Sequence, residues 1–163
     1  MPDWILTAKM LLLLWIANGA PIIATRLMGR RLATPIDFHY HLPDGQPLFG
    51  KSKTWRGILS ACLLTSLLAV GLDFSPWSGL FIALLAMAGD LLSSFIKRRL
   101  GMAASERALL LDQIPEALFP LLVLVIQNML NWLEALIVMT LFVFTDIVLS
   151  RLLFRLKIRR RPY

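Results

Sequence analysis

Apolar stretches of helix length recur five times along this chain, and they constrain its fold more tightly than any motif. They cover residues 4–24, 58–72, 79–96, 114–130 and 132–154. A helix of about 20 mostly apolar residues crosses a bilayer. "DFSPWSG" (73–79) breaks the second run from the third, and "QNMLNW" (127–132) parts the fourth from the fifth. With 58% of its 163 residues hydrophobic and 17% charged, a soluble domain would leave too much apolar surface in water. The expected fold is all-α: one domain, residues 1–163, of about five transmembrane helices in a lipid bilayer. The first run starts early and lacks a small-residue cleavage site, so it is expected to stay as a helix.

Charge orients this bundle. Five spans bring residues 25–57, residues 97–113 and the C-terminus to one side. Of the 17 Lys and Arg residues, all but Lys9 lie there or in helix ends leading there. Positive charge stays inside, so the N-terminus is expected outside and the C-terminus cytoplasmic, in a multi-pass cell-membrane protein. Trp4, Trp77 and Trp132 fall at the opposite ends, where indole rings favour the interface. The net charge of +7 therefore describes a basic cytoplasmic face. The tail "RLKIRRRPY" (155–163) suits anionic headgroups. Nothing in the pattern matches a nucleic-acid fold. The lone Cys62 excludes an internal disulfide and is expected to pack as a small apolar residue.

Residues 25–57 form the one sizeable polar segment. Its Pro, Gly and aromatic content predicts an ordered cytoplasmic loop rather than a helix. His39 and His41, flanking Tyr40, are expected to be structural or solvated.

Ionisable groups within a span cost several kcal/mol, about 2.5–3.5 for a central Asp on insertion scales, so they need a reason. In "GDLLSSFIKRRLG" (89–101), Asp90, Ser94 and Lys97 fall at i, i+4 and i+7, within about 60° of one helix face, with Arg98 one step round. A plain reading makes Lys97 and Arg98 membrane anchors and has them neutralise Asp90. Seven residues of helix rise, about 10 Å, make that pairing long. In "LLLDQIPEALFP" (109–120), Asp112 and Glu116 sit one turn apart, able to hold a hard cation through oxygen ligands. Alone, they read equally as a helix N-cap and a first-turn charge. "GKSKTWRG" (50–57) adds Lys51, Lys53, Thr54 and Arg56 just before the second span, where cations and helix-start N–H groups favour phosphate. It is not a P-loop. Carboxylates suited to Mg²⁺ and cations suited to phosphate thus converge at one end of the bundle, which is the equipment of phosphoryl or nucleotidyl transfer.

These residues resemble the CTP-dependent lipid-phosphate cytidylyltransferases: the CDP-diacylglycerol synthases and, more closely, the compact CDP-archaeol synthases. The resemblance rests on Gly89-Asp90, Ser94, Lys97-Arg98, Asp112 and the preceding Lys53-Thr54-Trp55. The compact branch is also similar in "ANGAP" (17–21), "PIDF" (35–38), "DG" (44–45) and "KTWRG" (53–57), so the likeness covers about residues 16–113. It implies that CTP and a phosphatidic-acid-like or archaetidic-acid-like lipid phosphate yield a CDP-activated lipid and pyrophosphate. It further implies Asp90, Asp112 and Lys97 as catalytic residues, with Asp90, Asp112 and Glu116 on Mg²⁺. Lys53, Thr54, Arg56, Ser94, Lys97 and Arg98 would face the nucleotide and phosphates. Asn18, beside an expected helix break at Pro21, would line the cavity or bond a neighbouring helix.

One departure stands out. The family's second acidic motif often repeats a carboxylate three residues after the first, and here that place is Pro115, with Glu116 next. Glu116 substitutes for it, or a ligand is lost. Two rivals follow: a transport-type membrane protein handling lipid or ions, and a non-catalytic homologue. Asp146 belongs to no matched motif and suits a structural ion pair with Arg151 or a proton relay.

Overall fold

In lipid a backbone must satisfy its hydrogen bonds within its own segment, and each apolar run accordingly folds as a helix. The structure, a computed structural model, describes residues 2–103, 106, 108 and 110–155. These residues form α1 (Trp4–Met28), α2 (Trp55–Gly71), α3 (Pro76–Arg99), α4 (Gln113–Ile126) and α5 (Trp132–Arg155). α1, α3 and α5 are long and apolar enough to cross a membrane, whereas α2 has 17 residues and α4 only 14. The tail from residue 156 and the side chain of Arg151, the expected partner of Asp146, lie outside the described residues.

Local chemistry sets the boundaries. The Asp3 carboxylate accepts the Ile5 and Leu6 N–H groups at 2.9 and 3.0 Å, starting α1. Asn131 and Glu134 exchange side-chain-to-backbone bonds of 2.9 Å each, a capping box at the start of α5. Two expectations are corrected here. α1 runs unbroken through Pro21 to Met28, because losing one N–H does not stop a helix packed along both flanks. α4 ends at Ile126, four residues before the expected 130, since the Met129 and Leu130 N–H groups turn back to the Leu124 carbonyl at 2.9 and 3.3 Å. Leu130 is apolar because it is buried in the core, not because it is helical.

Each helix packs on its sequence neighbour, α5 closes on α1, and α1 also meets α3. Leu13 of α1, Leu121 of α4, and Val138 and Phe142 of α5 fill the core. The outer face of α2 is the reverse of a soluble surface: Leu59, Leu63, Leu67 and Val70, spaced at helical intervals, are all exposed. Trp4, Trp77 and Trp132 are exposed at the starts of α1, α3 and α5, and the Asp3 N–H to Glu134 carboxylate bond (2.8 Å) joins the first of these to the last. Lys9, the cation outside the basic face, donates to the Leu72 carbonyl at 2.8 Å beyond the end of α2 and pairs with Asp73 at 3.3 Å.

The functional end is the opposite one. Among the described residues the 29–54 segment has no strand, only isolated bridges Pro35–Thr54 and His41–Pro47. Its centre is Asp37, whose carboxylate accepts the N–H groups of His39 (3.1 Å), Phe49 (3.0 Å) and Gly50 (2.8 Å). At the tip, Gly45 takes φ 76°, open to a residue without a Cβ, and Asp44 pairs with Arg99 at 2.8 Å. Arg99 also donates to the Pro47 carbonyl at 2.7 Å, so the loop is fastened to the end of α3.

α3 and α4 approach backbone to backbone. A Cβ on Gly89 would run into the Pro115 carbonyl and come within 2.7 Å of the Glu116 nitrogen. Gly89→Ala is therefore expected to destabilise the protein by about 1–3 kcal/mol, as overpacking does when backbone must move. Gly19→Ala, whose Cβ would meet nothing within 4 Å, should leave stability equal or higher. Thermal unfolding of both variants in detergent measures the contrast.

Burial pushes the Asp37 carboxyl up, but the three backbone N–H bonds, with His39 adding a smaller pull, outweigh it and hold the group below the ordinary aspartate range. A lowered folded-state pKa means that this stabilisation is present above the unfolded value, about 3.9, and is lost as pH falls through the folded one. Asp37→Ala should reduce amide-exchange protection of Phe49 and Gly50 at pH 7 by about tenfold or more. In the parent, protection should persist at pH 5 and fall only below about pH 4.

Candidate active site

The end of α3, the start of α4, the start of α2 and one stripe of α1 enclose a cavity of about 660 Å³, roofed by the loop and reached by α5 through Asp146. That volume lies within the range of small-molecule sites. Asp90, Asp112, Lys97, Lys53, Thr54, Ser94, Arg98, Glu116 and Asn18 all line it, although they come from segments up to about a hundred residues apart.

Two ion pairs organise the chamber. Lys53 reaches both oxygens of Asp90 at 2.6 Å. Its backbone is clamped by the loop, where the Ile36 N–H donates to the Lys53 carbonyl at 2.9 Å. Lys97 reaches Asp112 at 2.5 Å and the Glu106 carbonyl at 3.0 Å. The Asp112 carboxylate makes no side-chain cap on α4 and instead also accepts the Ala108 N–H at 3.1 Å, so it shapes the connecting turn. Lys97 therefore does not neutralise Asp90 directly as its principal partner. On the α3 stripe, Asp90 is met by Lys53 from the loop, while Lys97 meets Asp112.

Two groups depart from expectation. Arg56 does not line the cavity: its guanidinium donates to the Gly29 carbonyl (3.0 Å), the Arg31 carbonyl (2.6 Å) and the Thr25 hydroxyl (3.0 Å), tying the end of α1 to the start of α2. A side chain committed to three neighbouring acceptors is a strut, which corrects its expected place among phosphate-binding residues. Glu116 does not pair with Asp112; its carboxylate lies within hydrogen-bond reach of Asp90. The expected Asp90–Asp112–Glu116 metal trio is thus divided, and among the described residues no three His, Cys, Asp or Glu side chains are arranged to hold a metal.

Asp90 with Glu116 nevertheless forms a hard-oxygen pair. Carboxylates this close repel unless a proton or cation lies with them; the Lys53 ammonium already meets Asp90 here, and Mg²⁺ in phosphate chemistry commonly uses only one or two protein carboxylates. The pair fits such an ion. Ser94 adds a hydroxyl that is 2% exposed, lines the cavity and has no hydrogen-bond partner among the described residues. Arg98 donates to the Ala103 carbonyl at 2.9 Å while its Nε has no partner among the described residues. These two open polar groups lie on residues that line the cavity, where a polar ligand could satisfy them.

Sequence reasoning missed part of the site. Asp146 of α5 lines the cavity and accepts from Gln113 Nε2 at 2.9 Å, while Gln113 Oε1 accepts the Leu110 N–H at 2.9 Å. Its only signal was an acid within a span. Arg26 of α1 also lines the cavity, hidden among the many cations of the basic face. His39 and His41 do not line it; His41 Nδ1 meets the His39 carbonyl at 2.8 Å.

Known proteins resemble this chain over most of its length. Residues 3–163 match the family model described as CarS-like, CDP-archaeol synthase. A CDP-archaeol synthase of Sulfurisphaera tokodaii is 36% identical over 157 residues, covering 91% of this chain and 89% of that protein. One of Saccharolobus islandicus is 34% identical over 169 aligned positions, covering 99% of this chain and 97% of its own. A solved structure of an intramembrane enzyme for archaeal membrane lipid biosynthesis has a TM-score of 0.73 and 30% identity, covering 87% of this chain and 90% of that one.

Proposed function

The chain belongs to the CDP-archaeol synthase family, and on that premise we propose that it is a membrane-embedded enzyme transferring the cytidylyl group of CTP to a lipid phosphate. A phosphate oxygen of the lipid attacks the α-phosphorus of CTP and forms a new P–O bond. The bond from the α-phosphorus to the bridging oxygen breaks, pyrophosphate leaves, and a CDP-activated lipid remains. No oxidation state changes.

What supports this reading is the meeting of two Lys–Asp pairs in one chamber that is polar on its α3–α4 side and apolar toward Ile22 and Ile58. CTP cannot enter the bilayer and a lipid phosphate cannot leave the interface, so a shared site must lie at headgroup depth. Lys53, Lys97 and Arg98 retain N–H donors for triphosphate oxygens, and Ser94 offers its open hydroxyl. Held by charge and geometry, the reactants need no protein nucleophile. Asp90 and Glu116 would hold Mg²⁺, which when bound supplies charge neutralisation for the phosphates. Asp112 positions Lys97. Because the cations gather at this end and the tryptophans at the other, the site faces the cytoplasm in a cell membrane.

Purified protein in mixed micelles with CTP, Mg²⁺ and a dialkyl or diacyl glycerol phosphate should release pyrophosphate and form CDP-lipid. Asp90→Asn and Asp112→Asn should each lower turnover by about 100-fold or more with the helical fold retained. Wild-type turnover in both variants, or lipid flux into liposomes without CTP, would refute the assignment.

A further inference from the structure

Four cations line the cavity: Arg26, Lys53, Lys97 and Arg98. Three are engaged, Lys53 and Lys97 by carboxylates and Arg98 by the Ala103 carbonyl. Arg26 differs: among the described residues its side chain makes no hydrogen bond and no ion pair. It stands in the last turn of α1, whereas Asp90, Asp112 and Glu116 come from α3 and the start of α4. Near it the wall meets exposed apolar residues. Ile22, one turn earlier, both lines the cavity and is 39% exposed, and Leu27 beside it is 80% exposed. Across the α1–α2 contact, Ile58 continues the apolar lining and Leu59 begins the exposed stripe of α2.

We propose that Arg26 is the receptor for the phosphate of the lipid substrate, which enters from the bilayer along the α1–α2 face. This rests on the cytidylyltransferase reading and deepens it by separating two phosphate-binding places. An arginine with no partner keeps its full fork for a phosphate dianion. Its position at the mouth, flanked by exposed apolar residues, suits a phosphate whose alkyl chains stay in lipid. The engaged cations lie on the α2, α3 and α4 side, where a soluble triphosphate would exchange with the carboxylates. A basic residue at a helix end also serves topology, and Arg30, nearby in sequence but absent from the cavity lining, provides that comparison.

The test is equilibrium binding in dodecyl maltoside micelles, with fluorescent dialkyl glycerol phosphate and CTP titrated separately. Arg26→Gln should weaken lipid-phosphate binding by about tenfold or more, as the loss of a charge-assisted pair does. CTP affinity should be unchanged, and Arg30→Gln should match the parent for both ligands. Dialkyl glycerol without phosphate should bind the parent weakly. Unchanged lipid-phosphate binding by Arg26→Gln, loss of CTP binding instead, equal loss in Arg30→Gln, or no phosphate preference in the parent would each overturn the proposal. Pyrophosphate release is scored independently. A parent that binds lipid phosphate through Arg26 yet releases no pyrophosphate would keep this subsite and sink the enzymatic reading.

Discussion

A charge inside a bilayer is costly, and this molecule is built around distributing that cost. Lys53 holds Asp90, Lys97 holds Asp112, and Gln113 bonds Asp146, so charges from separate helices stand beside opposite or polar groups. Pairing alone would make a salt-bridged core. Here the pairs border a cavity, and Ser94 and Arg98 keep open polar atoms toward it. The charges are therefore stabilised without being used up.

That arrangement depends on a scaffold with little tolerance. Gly89 lets α3 and α4 touch through their backbones, which brings Asp90 to Glu116. Asp37 gathers three N–H groups into the loop that clamps Lys53, and Arg99 ties the loop tip to α3. The family-like motifs far from the acids thus have physical work: "PIDF" folds the roof, "DG" turns its tip, and the arginine of "KTWRG" joins α1 to α2. Pro115 also finds a reason. It lies where the two helices cross, and the carboxylate that reaches Asp90 comes from the next residue, Glu116.

Much of the fold was legible in one dimension, because lipid imposes a simple rule on apolar runs. All five helices lie where the runs lie, and the errors occur at Pro21 and Leu130, where a local signal met a packed environment. The site was legible as a set of residues but not as a set of partners. Helical spacing put Asp112 and Glu116 on one face, whereas packing turned Glu116 toward α3 and Asp112 toward Lys97. Arg56 looked like a phosphate cation because sequence does not reveal which carbonyls surround a guanidinium.

By itself, the sequence determined the solvent, the helical class and the collection of cations at one end, since these follow from hydropathy and charge summed over whole segments. It also carried the family likeness in short motifs with a fixed order. Only the tertiary structure decided which acid meets which base, that Arg56 is a strut, and that Arg26 and Asp146 belong to the chamber. Such matters turn on separations of a few ångströms between residues distant in the chain, and helix packing sets those distances.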